Sequence, residues 1–156
     1  MSSDARSEPL KVLVVDDEDE VRTLVRLTLH RSGLATVVAE SDGSPADVAL
    51  GCQALPDVVL LDQNLDGVRG TDLIGDISRN APNAMVAMLT ALDARSEEAA
   101  ALSAGAFVFY EKSVIATGLV ESLLEDHRLF QSALAGREVY APSALSRRIL
   151  AVPEAD

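Results

Sequence analysis

Three aspartates, a threonine and a lysine stand at the ends of four separate hydrophobic runs, and these are the residues with which the chain can do chemistry. Val12-Leu13-Val14-Val15 runs into Asp16 and Asp17, Val58-Val59-Leu60-Leu61 into Asp62, Met85 to Leu89 into Thr90, and Phe107 to Tyr110 stops just short of Lys112. Carboxylates gathered at one place can hold a divalent cation, and one carboxylate oxygen can act as a nucleophile. An ammonium and a hydroxyl beside them can meet the negative charge that spreads over the equatorial oxygens of a phosphoryl group in transfer. Singly these residues mean little, since a lysine at a strand end is usually a solvated surface group. Four strand ends supplying a complementary set are hard to attribute to chance.

The set works together only if the four runs are neighbouring parallel strands, because open α/β sheets gather the C-terminal ends of their strands in one crevice. The segments between the runs supply the helices such a sheet requires. Glu18 to Arg31 places Val21, Leu24, Val25, Thr28 and Leu29 at helical spacing, with Gly33 as a stop. Thr36 to Ala39 is a short β-branched run, Ser44-Pro45 opens a helix carrying Val48 and Leu50, and Pro56 closes the connection to the Val58 run. Gly70 to Ser78 puts Leu73, Ile74 and Ile77 on one helical face, and Asn80-Ala81-Pro82-Asn83 breaks the chain. Asp93 to Ser103 reads as an Ala-rich helix ended by Gly105. From Val114 a long helix brings Ile115, Leu119, Leu123, Phe130 and Leu134 near one stripe. Five β-α units result, with no shorter repeat.

At 156 residues and 48% hydrophobic content the chain can build one sizeable core. Aromatic residues make up only 3%, so that core must come from Val, Leu, Ile and Ala packed between helices and strands, which favours a layered α/β protein. The net charge of −12 repels nucleic acid and anionic membrane, and no basic patch overrides it. The lone Cys52 fits a reducing compartment and reads as a small core side chain. No stretch approaches the ~18 apolar residues of a membrane span, and the N-terminus lacks an apolar signal region. The expectation is a cytoplasmic protein with no membrane contact.

The motifs VLVVDDEDEVR at 12–22, VVLLDQNLDGVRG at 58–70, MLTA at 88–91 and GAFVFYEK at 105–112 together resemble the receiver domain of two-component response regulators, over about residues 10–130. The resemblance implies a doubly wound, flavodoxin-like five-stranded parallel sheet of order 2-1-3-4-5 with helices on both faces; this strand order is a known property of the family and comes with the resemblance, since the residue pattern alone leaves it open. It implies a signalling module, not an enzyme, promoting only its own phosphorylation and dephosphorylation. Asp62 would accept a phosphoryl group from a histidine kinase or phosphotransfer protein. Asp16, Asp17, Asp62 and the backbone carbonyl of Asn64 would bind Mg²⁺, with Asp16 acting through water. Thr90 and Lys112 would contact the phosphoryl oxygens, and Thr90 with Phe109 would form an aromatic switch, unless Phe109 is simply a permanently buried core side chain. Leu92 and Asn64 resemble positions that control access of hydrolytic water.

Two departures from the family pattern stand out. Ser113 follows Lys112 where the family usually has a cis proline, and a cis bond to a non-proline residue costs ~2.5–4 kcal/mol. Either that bond is cis at this cost, or it is trans and Lys112 approaches along another path. Asp66 stands where proline is usual, adding a carboxylate that either tightens the ion site or is solvated. Two decoys compete. Asp62 to Gly67 opens like a calcium-binding loop, but Leu73 occupies the twelfth position, where Glu is needed. Asp17-Glu18-Asp19-Glu20-Val21 resembles the signature of haloacid-dehalogenase-type phosphatases, with Asp17 as nucleophile, but the acidic pair that those enzymes need late in the chain would here be Glu125-Asp126, within a helix.

The domain reading is a polar leader at 1–9, the receiver at 10–130 and a helical extension at 131–156. Leu145, Ile149 and Val152 keep helical spacing in that extension, which looks like the linker joining receivers to helix-turn-helix domains in LuxR-type regulators. A DNA-binding domain itself is not seen, and the extension balances three Arg against three acidic residues, so direct nucleic-acid binding by this chain is not expected. Its apolar stripe either covers the receiver's own surface or supports a homodimer. Output then runs through an unidentified downstream protein, or the chain is the receiver part of a LuxR-type transcriptional regulator.

Overall fold

A computed structural model describes residues 8–91 and 97–136. Five strands, β1 (Leu10–Val15), β2 (Ala35–Ser41), β3 (Val58–Leu61), β6 (Met85–Thr90) and β7 (Val108–Glu111), form one parallel sheet in the order β2-β1-β3-β6-β7. Counted along the sheet strands alone, this is the expected 2-1-3-4-5. Between β3 and β6 the chain makes a two-stranded antiparallel hairpin of β4 (Asn64–Leu65) and β5 (Val68–Arg69), then a 3-10 turn at Gly70–Leu73 that leads into α3 (Ile74–Asn80). The other helices are α1 (Asp19–Ser32), α2 (Pro45–Cys52), α4 (Glu98–Ala104), α5 (Val114–Thr117) and α6 (Leu119–Leu134).

The central strands read as unbroken apolar runs because both faces are covered. Successive side chains alternate between two cores. Leu13, Val15, Val59, Leu61, Val86, Met88 and Phe109 pack with Val48, Leu73, Ile74 and Ile77 on the side of α2, α3 and α4. Val12, Val14, Val58, Leu60, Leu89, Val108 and Tyr110 pack with Val25, Leu29, Leu119 and Leu123 on the side of α1 and α6. Cys52 is buried among the first group and free, as expected. Full burial of each such Val, Leu or Ile contributes roughly 1.5–3 kcal/mol before entropy is counted.

Three sequence expectations need correction. Leu24 and Leu50 do not join the core; they are 49% and 60% exposed, because Leu24 lies beside the stripe of Val25 and Leu29 and Leu50 lies on the face opposite Val48, Gly51 and Cys52. The single long helix from Val114 is two, divided at Gly118, whose backbone leaves the helical region (φ 178°, ψ 28°). Leu134 at its end is 47% exposed, whereas Phe130 and Ala133 before it still pack against the core. Gly33, by contrast, ends α1 as expected: it takes the left-handed conformation (φ 72°) and its N–H bonds the His30 carbonyl. The leader through residue 7, the segment holding Leu92, and the extension beyond residue 136 lie outside the described residues.

Candidate functional site

The strand register places the site. Val15 of β1 pairs with Leu61 of β3 and with Ser41 of β2, so Asp16 and Asp62 leave the sheet side by side. Leu61 pairs with Met88 and Thr90 with Glu111, which brings Thr90 and Lys112 to the same rim. Backbone bonds hold each position: Asp16 N–H donates to Ser41 O (3.0 Å), Asp62 N–H to Val15 O (3.0 Å), and Lys112 N–H to Thr90 O (2.7 Å). Asp16, Asp17, Asp62 and Lys112 meet at this rim, and Thr90 ends the strand beside Lys112.

Asp16, Asp17 and Asp62 each offer a carboxylate oxygen within 4.8 Å of the others'. Asp16 and Asp62 are buried and Asp17 is exposed, so the cluster opens to solvent on one side. Lys112 Nζ lies 3.0 Å from Asp16 Oδ2, 3.4 Å from Asp62 Oδ2 and 3.6 Å from Glu18 Oε1. The Lys112–Ser113 bond is trans, as is every peptide bond among the described residues, and the ammonium reaches the carboxylates all the same. Thr90 is fully buried, and its Oγ1 has no hydrogen-bond partner. Phe109 is also buried, its ring already within the core on the side of α3 and α4. Asn64 and Asp66 are exposed, and Asp66 is not one of the three clustered carboxylates.

Burial governs the electrostatics. It pushes Asp62 up to about 6, with the Asp16 charge adding to the rise and Lys112 opposing it. Asp16 is raised as well, chiefly by burial, against the hydrogen bond from Glu18 N–H and the pull of Lys112. For Lys112, burial works to lower the value, but the hydrogen bond to Asp16 and the charges of Asp62 and Asp16 outweigh it and hold the ammonium above its ordinary range. Two buried acids and one cation leave an excess of negative charge. An all-oxygen donor set of this kind suits a hard divalent ion, and such an ion would relieve that excess.

Two supporting residues were not picked out in the sequence. Arg22 donates to the Asp16 backbone carbonyl and pairs with Asp19 and with Glu40 of β2, clasping the first acidic pair to the sheet edge. The signal available was an Arg one helical turn inside α1, on the side facing the strand ends. Gln63 is 1% exposed beside Asp62, and nothing in its sequence context announces burial. The late acidic pair weighed for a phosphatase is accounted for elsewhere: Asp126 is buried in α6 and accepts a 2.6 Å hydrogen bond from the Tyr110 hydroxyl.

A doubly wound sheet of this order, with an acidic pocket and a lysine at its C-terminal rim, defines a receiver-type signalling module. The chain belongs to the response regulator receiver domain family, whose profile matches residues 12–124. It is 35% identical over 98 residues to the nitrate/nitrite response regulator protein NarP of Escherichia coli, covering 63% of this chain and 46% of NarP. With NarL of Mycobacterium tuberculosis, a transcriptional regulatory protein by name, it shares 31% identity over 141 residues, 90% of this chain and 62% of NarL. The solved signal receiver domain of NarL from that organism superposes with a TM-score of 0.69 at 30% identity, covering 78% of this chain and 98% of that domain. The chain thus spans about half the length of the curated relatives it matches. It is a receiver phosphorylation module with its acidic pocket at Asp16, Asp17 and Asp62. Among the described residues no helix is long and apolar enough to cross a membrane.

Proposed function

We propose that this is a cytoplasmic protein in which Asp62 is the phosphoryl acceptor, and that the donor is a phosphohistidine of a histidine kinase or phosphotransfer protein. The observation that carries this is the meeting of three strand ends at one sheet rim, where Lys112 Nζ lies 3.0 Å from Asp16 and 3.4 Å from Asp62. An Asp62 oxygen attacks phosphorus in line, the O–P bond forms as the P–N bond breaks, and the imidazole departs with the electron pair. With its carboxyl near 6, Asp62 is mostly ionised at pH 7 and competent as a nucleophile. Lys112 meets charge on the phosphoryl oxygens, and the unpartnered Thr90 hydroxyl supplies a donor.

The carboxylates of Asp16, Asp17 and Asp62 and the Asn64 carbonyl would hold Mg²⁺, with Asp16 acting through water. When bound, Mg²⁺ supplies the positive charge that lets an anionic phosphoryl group approach an acidic pocket. The Thr90–Phe109 pair is the proposed switch, by which the phosphorylated state biases a pre-existing equilibrium toward a downstream protein partner. The receiver unit is taken as 10–130, with 131–156 as an extension. Incubation with acetyl phosphate and Mg²⁺ tests the acceptor: wild type should gain one phosphoryl group by intact mass and Asp62→Asn none. Equal gain by both would overturn the assignment.

A second reading, the receiver part of a LuxR-type transcriptional regulator, draws support from the NarL alignment. An alignment covering 90% of this chain necessarily runs into the extension after residue 130. Sedimentation of full-length and 1–130 protein distinguishes the extension's roles: a heavier species for the full chain alone supports a homodimer, and equal association states for both remove it.

A further inference from the structure

Gln63 follows Asp62 directly and is almost completely buried, an unusual setting for a carboxamide in a surface loop. Its Oε1 accepts a hydrogen bond from Thr71 N–H at 2.9 Å, and its Nε2 lies 3.5 Å from Thr71 Oγ1. Its backbone carbonyl accepts from Gly70 N–H at 2.8 Å. One residue therefore closes the loop from 63 to 71 upon itself through both its side chain and its backbone.

Two independent observations give this closure a purpose. Neither Arg69 nor Leu73, the residues that flank the starts of the 3-10 turn and α3, makes a side-chain cap, so the Gln63 carboxamide serves an N–H of that helical start from across the loop. Gly70 meanwhile packs so tightly on the acceptor that a Cβ there would lie 2.1 Å from the Asp62 carbonyl oxygen. The backbone entering Asp62 is fixed by Val15, and the backbone leaving it is fixed by the Gln63 closure.

We infer that Gln63 is a positioning residue for phosphoryl acceptance: its carboxamide, bonded to Thr71, fixes the backbone between Asp62 and Asn64 and so holds the acceptor carboxylate and the Asn64 carbonyl in register with Lys112 and the acidic pocket. The inference rests on the reading of Asp62 as the acceptor. A reacting group must be held to fractions of an ångström, and a 1 Å misplacement can cost ~10²-fold in rate. A glutamine clamp relaxed by truncation should cost less than that, on the order of 10-fold.

The test measures the time course of labelling by acetyl phosphate and Mg²⁺ in the full chain. Gln63→Met keeps the volume and loses both hydrogen bonds, and Gln63→Asn stays polar but is one methylene too short to reach Thr71. Gln63→Glu keeps the acceptor for Thr71 N–H. Met and Asn variants should label fully but about 10-fold more slowly, and the Glu variant should recover to within about 3-fold of wild type. A purely structural role would lower the fraction of chains labelled and leave the rate constant of that fraction unchanged, and that outcome overturns the inference. Should the Met variant not fold, the Asn and Glu variants decide on the same criterion. A second readout needs neither metal nor phosphate: hydrogen exchange at the Thr71 amide of the metal-free protein should speed up at least 10-fold in Gln63→Asn. An unchanged exchange rate overturns the inference too. Failure of wild type to label at Asp62 would instead sink the acceptor assignment, so the two failures are distinguishable.

Discussion

Lys112 Nζ stands closer to Asp16 (3.0 Å) than to Asp62 (3.4 Å), so one ammonium is shared between two buried carboxylates and the proposed acceptor holds the weaker share. Removing that cation leaves both acids facing each other without a counter-charge. Lys112→Met should therefore slow labelling of Asp62 by about 10²-fold, the usual cost of losing one transition-state donor. The rate is read by mass spectrometry over time. A variant as fast as wild type would remove Lys112 from the chemistry.

The raised carboxyl of Asp62 makes stability depend on pH in a defined direction. Its folded value of about 6 exceeds the ordinary 3.8, so between these values the folded protein binds a proton that the unfolded chain does not. The associated stability is fully present below about 3.8 and is lost as pH rises through about 6. In metal-free buffer, Asp62→Asn should exceed wild type at pH 7 by on the order of 1–3 kcal/mol, the full shift at ~1.4 kcal/mol for each tenfold change in acidity being reduced by solvent screening, with the gap closing toward pH 4. Saturating Mg²⁺ should shrink it by stabilising wild type. Urea denaturation across pH checks this, and a gap independent of pH would contradict it.

Gly70 admits no side chain. Gly70→Ala drives a methyl group into the Asp62 carbonyl, a backbone atom that cannot move without carrying the acceptor with it. Destabilisation of about 3 kcal/mol, at the upper end for overpacking, should accompany slower labelling. Denaturation midpoints measure the first effect, and a neutral substitution would show that the loop is not closed as described.

On the opposite face of β7, the Tyr110 hydroxyl donates to Asp126 at 2.6 Å with both side chains buried. Burial and the Asp126 charge both push the phenol's pKa upward, so it remains the donor at all ordinary pH. Tyr110→Phe removes a bond to a charged group, and the expected cost is about 1.5–3 kcal/mol. Because the bond lies away from the acidic pocket, the labelling rate constant should stay within about 2-fold of wild type.

What the sequence showed and what it hid follow from where the determining contacts lie. The sheet was legible because strands buried on both faces must be apolar throughout, and Val58 to Leu61 cannot be mistaken for a solvated segment. The acidic pocket was legible because the apolar runs of β1 and β3 end in aspartates. Strand order was not, since pairing of β1 with both β2 and β3 is set by long-range packing, and it came from the family resemblance. Gln63 was hidden because its burial depends on Thr71, eight residues away, across a hairpin that no periodicity marks. Leu24 misled because helical spacing places it beside the true stripe of Val25 and Leu29 without saying how wide the covering surface is.

The most direct measurement is the position of the phosphoryl group. After labelling with acetyl phosphate and Mg²⁺, tryptic cleavage separates Asp62, in residues 32–69, from Asp16 and Asp17, in residues 12–22. The receiver mechanism requires the phosphate on the 32–69 peptide alone, at Asp62. Phosphate at Asp17, as a phosphatase-type nucleophile would give, or no phosphate on either peptide, would contradict it.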